Sequence, residues 1–224
     1  MDIKKNIFIV GIGGSVGKAI YNFYKNDNNF SVFGSSTKKD NLENNIFYLD
    51  FCNTETIDKL PDFKIDHLII TSGYEPKYNI KETTNIHLEK MFKIHILGPM
   101  MLIQKMLNML SNESSITFLG SPAAWQGSYD PAYAAVKGAT NSLIRTLSKD
   151  LAPNTRVNAL SPSLIKNSTV FNSMTEDFKN KHISNTLNKR LITMDECIDG
   201  INFILKSKHY TGQILHLNGG MVYG

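Results

Sequence analysis

The apolar run at residues 7–10 passes without a polar spacer into Gly11-Ile12-Gly13-Gly14-Ser15-Val16-Gly17, and then into the helix-like stretch 18–24. A run this short and apolar reads as a buried strand, and glycines let the chain turn tightly into a helix whose first N–H groups have no partner. Such a helix end, approached closely by Cβ-free backbone, attracts an anion such as phosphate. Glycine also serves purely structural turns, so the turn alone is weak evidence. Its place directly between a first strand and a first helix strengthens it. The same order recurs downstream, with strands predicted at residues 30–34, 46–49, 66–70, 116–119, 156–160 and 213–217 and helical segments between them. That alternation is the pattern of an α/β, mostly parallel sheet covered on both faces by helices.

At 224 residues, 42% hydrophobic and 20% charged, the chain can bury one substantial core, and no repeat or linker divides it. A single domain over 1–224 is expected. The net charge of +4 comes from dispersed lysines, which does not favour a nucleic-acid partner. Cys52 and Cys197 are far apart and lack metal-ligand spacing, so free thiols, a reducing compartment and no metal are expected. The basic, then apolar start is better read as a first strand than as a signal peptide, because the apolar run is short and enters the glycine cluster. No stretch approaches transmembrane length, and a cytoplasmic protein with no membrane partner is expected.

Residues 121–137 carry the chemistry. If Pro131 opens a helix, Tyr133 and Lys137 stand at i and i+4 and project from one face, one turn apart. A phenol with a reference pKa of roughly 10 is a poor proton carrier at neutral pH, and an adjacent ammonium is expected to lower that pKa by stabilising phenolate. Ser121, twelve positions before Tyr133 at the exit of a predicted strand, could hold a carbonyl oxygen with its hydroxyl. An ordinary amphipathic helix carrying the pair by chance is the bland alternative.

The second predicted strand ends in Ser35-Ser36-Thr37-Lys38-Lys39. An acidic residue at this place in a dinucleotide site would accept ribose hydroxyls, whereas hydroxyls and a lysine would receive a 2′-phosphate, so NADP(H) is favoured over NAD(H). Asp50, at the end of the third strand, could accept from an adenine amino group or could simply cap a turn. Residues 86–110 are apolar on more than one helical face, which predicts a helix buried on both sides, by the sheet and by a second subunit.

Taken in order, the motifs resemble those of a classical short-chain dehydrogenase/reductase, similar to the NADPH-dependent ketoacyl reductase branch. They are the turn from Gly11 to Gly17, Asp50, Gly73, Ser121, Tyr133-x-x-x-Lys137, Val157-Asn158, Pro162, Thr211-Gly212-Gln213 and Gly219-Gly220. The resemblance covers the whole chain. It implies a Rossmann-type, doubly wound sheet of about seven strands and a homodimer or homotetramer built through the middle helices. It implies a dinucleotide held by Gly11, Gly13, Ser15, Val16 and Gly17, by Ser35, Ser36, Thr37 and Lys38, and by Asp50 and Phe51. Ser72 and Gly73, Tyr133 and Lys137, and Pro162, Ser163, Leu164 and Ile165 complete that set. In the implied reaction, a carbonyl and a secondary alcohol interconvert by hydride transfer. Ser121 polarises the carbonyl, Tyr133 gives the proton, and Lys137 holds the nicotinamide ribose and depresses the tyrosine pKa.

The chain departs from the family pattern at several places. Ser15 replaces a glycine, which is tolerable if its φ stays negative, and its hydroxyl could bind phosphate. Ile70-Thr71-Ser72-Gly73 replaces Asn-Asn-Ala-Gly, Ser163 replaces a glycine, and Asn167 replaces a threonine. His95 stands where the family has a helix-kinking asparagine of the proton relay, and its imidazole is expected either to titrate near neutrality and join catalysis or to be buried and hydrogen-bonded in place. Residues 164–190, read as a polar, irregular substrate lid, carry Lys166, Phe171, Met174, Phe178, Lys179, Lys181, His182, Lys189 and Arg190. Those charges suggest an anionic carbonyl or alcohol substrate, and a solvated lid that never meets it is the alternative. Trp125, Tyr129 and Tyr74 are expected to line the apolar side of the pocket. The altered turns keep open a second role, a catalytically weak relative that senses dinucleotide or serves as an assembly partner.

Overall fold

A computed structural model describes residues 4–39, 42 and 44–223. In chain order, β1 (Lys5–Val10), α1 (Ser15–Lys25), β2 (Phe30–Ser36), β3 (Ile46–Tyr48), α2 (Glu55–Asp58) and β4 (Ile65–Ile70) form the first half. There follow α3 (Asn85–Phe92), a π-helical turn (Lys93–Leu97), α4 (Gly98–Met106), β5 (Leu110–Leu119), α5 (Ala123–Gln126) and α6 (Pro131–Asp150). The chain continues with β6 (Thr155–Pro162), α7 (Thr169–Ser173), α8 (Glu176–Asn185), α9 (Met194–Lys206) and β7 (Ile214–Leu217). The seven strands make one sheet of order β3-β2-β1-β4-β5-β6-β7, with every pairing parallel. This is the doubly wound, Rossmann-type architecture expected from the alternation of runs.

Strands buried on both faces read as near-continuous apolar runs, and residues 7–10 of β1 and 68–70 of β4 are such runs. Phe8, Val10, Leu68 and Ile70 face a core closed by Leu102, Ile103, Met106 and Ile144, whereas Ile7, Ile9 and Ile69 face a second one closed by Ile20, Tyr21, Ile198 and Ile201. The strand order reverses about β1 and β4, and a crevice opens outside their carboxyl ends. Ligands of open α/β sheets bind at such a switch point.

Local signals explain several boundaries. Asp130 caps α6 by accepting from the Tyr133 N–H, with Pro131 in the first turn, where its missing donor costs nothing. Thr193 and Glu196 close a reciprocal capping box on α9.

Three expectations need correction. β2 extends through Ser36, so Ser35 and Ser36 lie inside the sheet rather than in the loop after it. β5 begins at Leu110, earlier than the apolar run alone indicates. Segment 164–190 is largely helical through α7 and α8, because Ser168 and Thr175 each cap a helix with their hydroxyls. The apolar stretch 86–110 is interrupted by the π-turn; within the single chain Met91, Leu102 and Met106 are buried, and Phe92, Leu97, Met100 and Leu107 are exposed on the side expected to meet a second subunit.

Candidate active site

The crevice is a cavity of about 650 Å³. Every residue singled out above as catalytic or cofactor-binding lines it: Gly11, Gly13 and Ser15 to Gly17, Ser35 to Lys38, Asp50, Phe51, Ser72, Gly73, His95, Ser121, Tyr133, Lys137 and Pro162 to Ile165.

The first wall is the glycine turn. Gly11 has φ +92°, and a Cβ there would stand 2.8 Å from the Ser72 amide nitrogen. A Cβ on Gly17 would lie 2.4 Å from the Gly11 carbonyl oxygen, so the first turn of α1 can sit against this backbone only as glycine. Ser15 begins α1 and is not among the residues of positive φ, as its side chain requires. Its hydroxyl is committed within the protein. Ser15 Oγ accepts the Thr169 N–H at 2.8 Å, and Ser15 N–H donates to Thr169 Oγ1 at 3.3 Å, which ties the turn to α7.

The adenosine side divides unequally. Ser35 is buried and its Oγ accepts from Gly11 N–H at 3.3 Å, while Ser36 Oγ accepts from Lys38 N–H at 3.0 Å. Thr37 and Lys38 are exposed at the rim. Asp50 Oδ1 accepts the Cys52 N–H at 2.8 Å, so one of its oxygens serves the turn. Ser72 Oγ is buried without a partner on the cavity wall. A buried hydroxyl is rarely left unpaired, and a bound ligand with polar edges would satisfy it. Together with the Cβ-free cradle at Gly11 and Gly17, this fits a dinucleotide.

The reacting side is built by β5 and α6. Tyr133 and Lys137 project from the same face, and Ser121, just past β5, lines the cavity with them and favours ionisation of the Tyr133 phenol. Burial raises the Tyr133 pKa above its ordinary value, and the Ser121 contact opposes this only in part. Burial, and not the Lys137 charge, sets the direction of that shift, contrary to the expectation that Lys137 depresses it. Lys137 Nζ sits 5.6 Å from the Tyr133 ring centroid and donates to the Leu119 carbonyl at 2.9 Å. Lys137 is itself buried, which pulls its own pKa down to about 8.

His95 occupies the π-turn, an insertion frequent at functional sites. Its Nε2 accepts the Tyr74 N–H at 3.0 Å, and its ring lies edge-on to Tyr133 with centroids 5.8 Å apart. Burial, helped by the charge of Lys137, lowers its pKa to about 3. The imidazole is therefore neutral at physiological pH, and the reading in which it titrates near neutrality gives way to the buried, hydrogen-bonded one.

The substrate side differs more from expectation. Tyr74 and Tyr129 line the cavity, but Trp125 does not: it packs on His216 with ring centroids 4.4 Å apart. Of the basic residues in 164–190, only Lys181 and His182 reach the wall, where they share one face of α8 with Phe178 and Asn185, and burial beside Lys181 lowers the His182 pKa below its ordinary value. Lys179 pairs with Glu176 at 2.6 Å and Arg190 with Glu196 at 2.8 Å, while Lys189 donates to the Ser184 carbonyl at 2.6 Å. Lys166, Phe171 and Met174 stand off the wall. Sequence reasoning missed Thr169, Met221 and the Asp130–His87 pair. Only Asp130 carried a signal, as an Asx-Pro at a helix start. Among the described residues no group of His, Cys, Asp and Glu could hold a metal ion, both cysteines are free, and no helix is long and apolar enough to cross a membrane.

An all-parallel, doubly wound sheet with its cavity at the switch point defines the class of protein. Residues 39–222 match the family described as enoyl-(acyl carrier protein) reductase. The chain is 30% identical over 246 residues to the 3-oxoacyl-[acyl-carrier-protein] reductase FabG of Buchnera aphidicola subsp. Baizongia pistaciae, with 97% of each protein covered. It is 27% identical over 240 residues to the uncharacterized oxidoreductase YmfI of Bacillus subtilis, covering 97% of this chain and 99% of that one. Among solved structures, a short chain dehydrogenase family protein from Francisella tularensis superposes with a TM-score of 0.88 at 20% identity, covering 98% of this chain and 99% of the other. A small-chain dehydrogenase in complex with NADPH gives a TM-score of 0.84 at 20% identity, covering 99% and 100%. The chain belongs to the classical short-chain dehydrogenase/reductase family of oxidoreductases.

Proposed function

We propose that the protein is an NADP(H)-dependent oxidoreductase that interconverts a carbonyl and a secondary alcohol, with Tyr133 as general acid and base. The observation that carries this reading is the convergence of Ser121, Tyr133 and Lys137 in the cavity that also holds the glycine turn. When bound, the nicotinamide supplies or accepts the hydride. Gly11, Gly13, Ser15, Val16 and Gly17 would hold the pyrophosphate, and Ser36, Thr37 and Lys38 the 2′-phosphate. Asp50, Phe51, Ser72, Gly73 and Pro162 to Ile165 would enclose the rest. The pairing of Ser35 with Gly11 supports assigning the phosphate role to Ser36, Thr37 and Lys38 and not to Ser35.

The raised pKa of Tyr133 keeps the phenol protonated at neutral pH, the form needed to protonate a carbonyl oxygen during reduction. Ser121 donates to that same oxygen and stabilises developing negative charge. Lys137, held by Leu119 one turn along α6, stands where it can bind the nicotinamide ribose. His95 positions Tyr74 at the rim of the site and takes no proton itself.

Lys181, with the uncharged donors His182 and Asn185 beside it on the cavity face of α8, supports an anionic carbonyl substrate, with 164–190 acting as the lid of a single domain. The relative named as a 3-oxoacyl-[acyl-carrier-protein] reductase supports the direction of carbonyl reduction. The exposed apolar side chains Phe92, Leu97, Met100 and Leu107 support a homo-oligomer, and the reading as a whole is of a cytoplasmic enzyme.

Calorimetric titration with NADPH and NADH, followed by a screen of aldehydes, phosphorylated keto sugars and 3-oxoacyl thioesters, tests the proposal. Tight NADPH binding with weak NADH binding and turnover of a carbonyl compound is expected. Binding of neither dinucleotide would overturn it.

A further inference from the structure

Asp130 does more than cap a helix. Its side chain is fully buried, and four donors converge on it. Oδ1 accepts the Tyr133 N–H at 3.1 Å, and Oδ2 accepts from Lys77 N–H at 2.9 Å, Tyr78 N–H at 3.4 Å and His87 Nε2 at 2.7 Å. A buried carboxylate is costly unless its lone pairs are partnered, and these four contacts meet that cost. A serine or threonine would cap α6 as well, so capping does not explain the carboxylate or the histidine. His87 is itself buried, and its Nδ1 has no partner, which leaves the bond to Asp130 as the one its ring makes.

The contacts beyond the cap lead to the segment that walls the cavity beside Tyr133. Tyr74 of this segment donates its N–H to His95, and the Pro76 carbonyl accepts the Tyr129 hydroxyl at 2.6 Å. Tyr74, Glu75, Pro76 and Tyr129 all line the cavity. One carboxylate thus joins three pieces of chain: the first turn of α6, which carries Tyr133; the segment 74–78, whose residues 74–76 wall the cavity; and α3 through His87.

We propose that Asp130 and His87 form a positioning pair for proton transfer, fixing the Tyr133 phenol relative to the 74–78 wall against which the substrate carbonyl is held. The inference rests on the reading of Tyr133 as the proton donor. Neither residue touches the reacting atoms; both act through Tyr133 and the wall. Misplacement of a reacting group by about 1 Å can cost on the order of 100-fold in rate, and that is the scale of the expected effect.

The test compares Asp130→Ser, which keeps a capping hydroxyl and loses the other contacts, with His87→Leu and with His87→Gln, which retains a side-chain donor. A 3-oxoacyl thioester with NADPH is the assay pair, with calorimetry for NADPH affinity and hydrogen exchange at the Lys77 and Tyr78 amides. In Asp130→Ser, kcat should fall about 100-fold while NADPH affinity stays within about threefold, and both amides should exchange faster. In His87→Leu, kcat should fall about tenfold, and His87→Gln should recover most of it. A folded Asp130→Ser or His87→Leu with wild-type kcat, NADPH affinity lost in step with kcat, or a Gln variant no better than Leu would overturn the pair. If Asp130→Ser does not fold, the two His87 variants decide alone. Turnover that survives Tyr133→Phe sinks the reading of Tyr133 itself. Turnover lost in Tyr133→Phe but kept in the Asp130 and His87 variants sinks only the positioning pair.

Discussion

Ser15 and Thr169, 154 positions apart, are joined by a reciprocal pair of hydrogen bonds, with Ser15 Oγ receiving the Thr169 N–H at 2.8 Å. The glycine turn and the first helix of segment 164–190 are therefore held together by the residue that departs from the family's glycine pattern. In Ser15→Gly the hydroxyl is gone and α7 loses that acceptor. A net contribution of about 1 kcal/mol is usual for such a bond. Faster proteolysis within 164–190 and faster NADPH release, by about fivefold in stopped flow, are expected. An unchanged release rate would show that the contact does not govern closure.

The opposite substitution is expected at Gly17. Gly17→Ala drives a Cβ to 2.4 Å from the Gly11 carbonyl and 2.5 Å from Thr71 Oγ1. Backbone cannot give way there as a flexible side-chain end would. Overpacking of this kind costs about 1–3 kcal/mol, so a lower melting temperature and at least a tenfold loss of NADPH affinity should follow. Calorimetry on the folded variant checks both.

Lys137 sets activity against stability. Burial lowers its pKa from 10.5 to about 8, so between those values the unfolded chain binds more protons than the folded one. Stability then rises with pH through that window. Below about pH 8 the folded protein carries the full penalty of a buried ammonium. Lys137→Met removes that penalty and should raise Tm at pH 7 by about 2–4 °C while nearly abolishing turnover. The gap in Tm should shrink as pH rises from 8 toward 10.5. A variant less stable than wild type at pH 7 would mean that the bond to Leu119 outweighs desolvation.

Much of this was legible in the sequence because parallel strands buried on both faces cannot hide: residues 7–10 and 68–70 are apolar at every position, and the glycine turn marks where the first of them ends. The site residues were legible because their order along the chain follows the carboxyl ends of successive strands. What was not legible depends on side-chain direction. Trp125 lies on the four-residue α5, too short for a periodicity to show which way it points, and it turns to His216. The sign of the Tyr133 shift is set by burial, and spacing at i and i+4 reports only the neighbouring charge. Ser35 reads as a loop hydroxyl until the pairing of β2 with β3 places it in the sheet. His87 gave no signal, because its partner Asp130 lies 43 positions away.

The central claim is that Tyr133 moves the proton, and the turnover of Tyr133→Phe tests it most directly. The substitution removes one hydroxyl and leaves the Asp130 cap in place, so the fold should persist. Positioned proton transfer contributes about 10²–10⁴ in rate. With NADPH and the carbonyl compound most active in the screen, kcat should fall by at least about 100-fold while NADPH binds within about threefold of wild type. A Tyr133→Phe protein that binds NADPH and keeps most of its turnover would contradict the account.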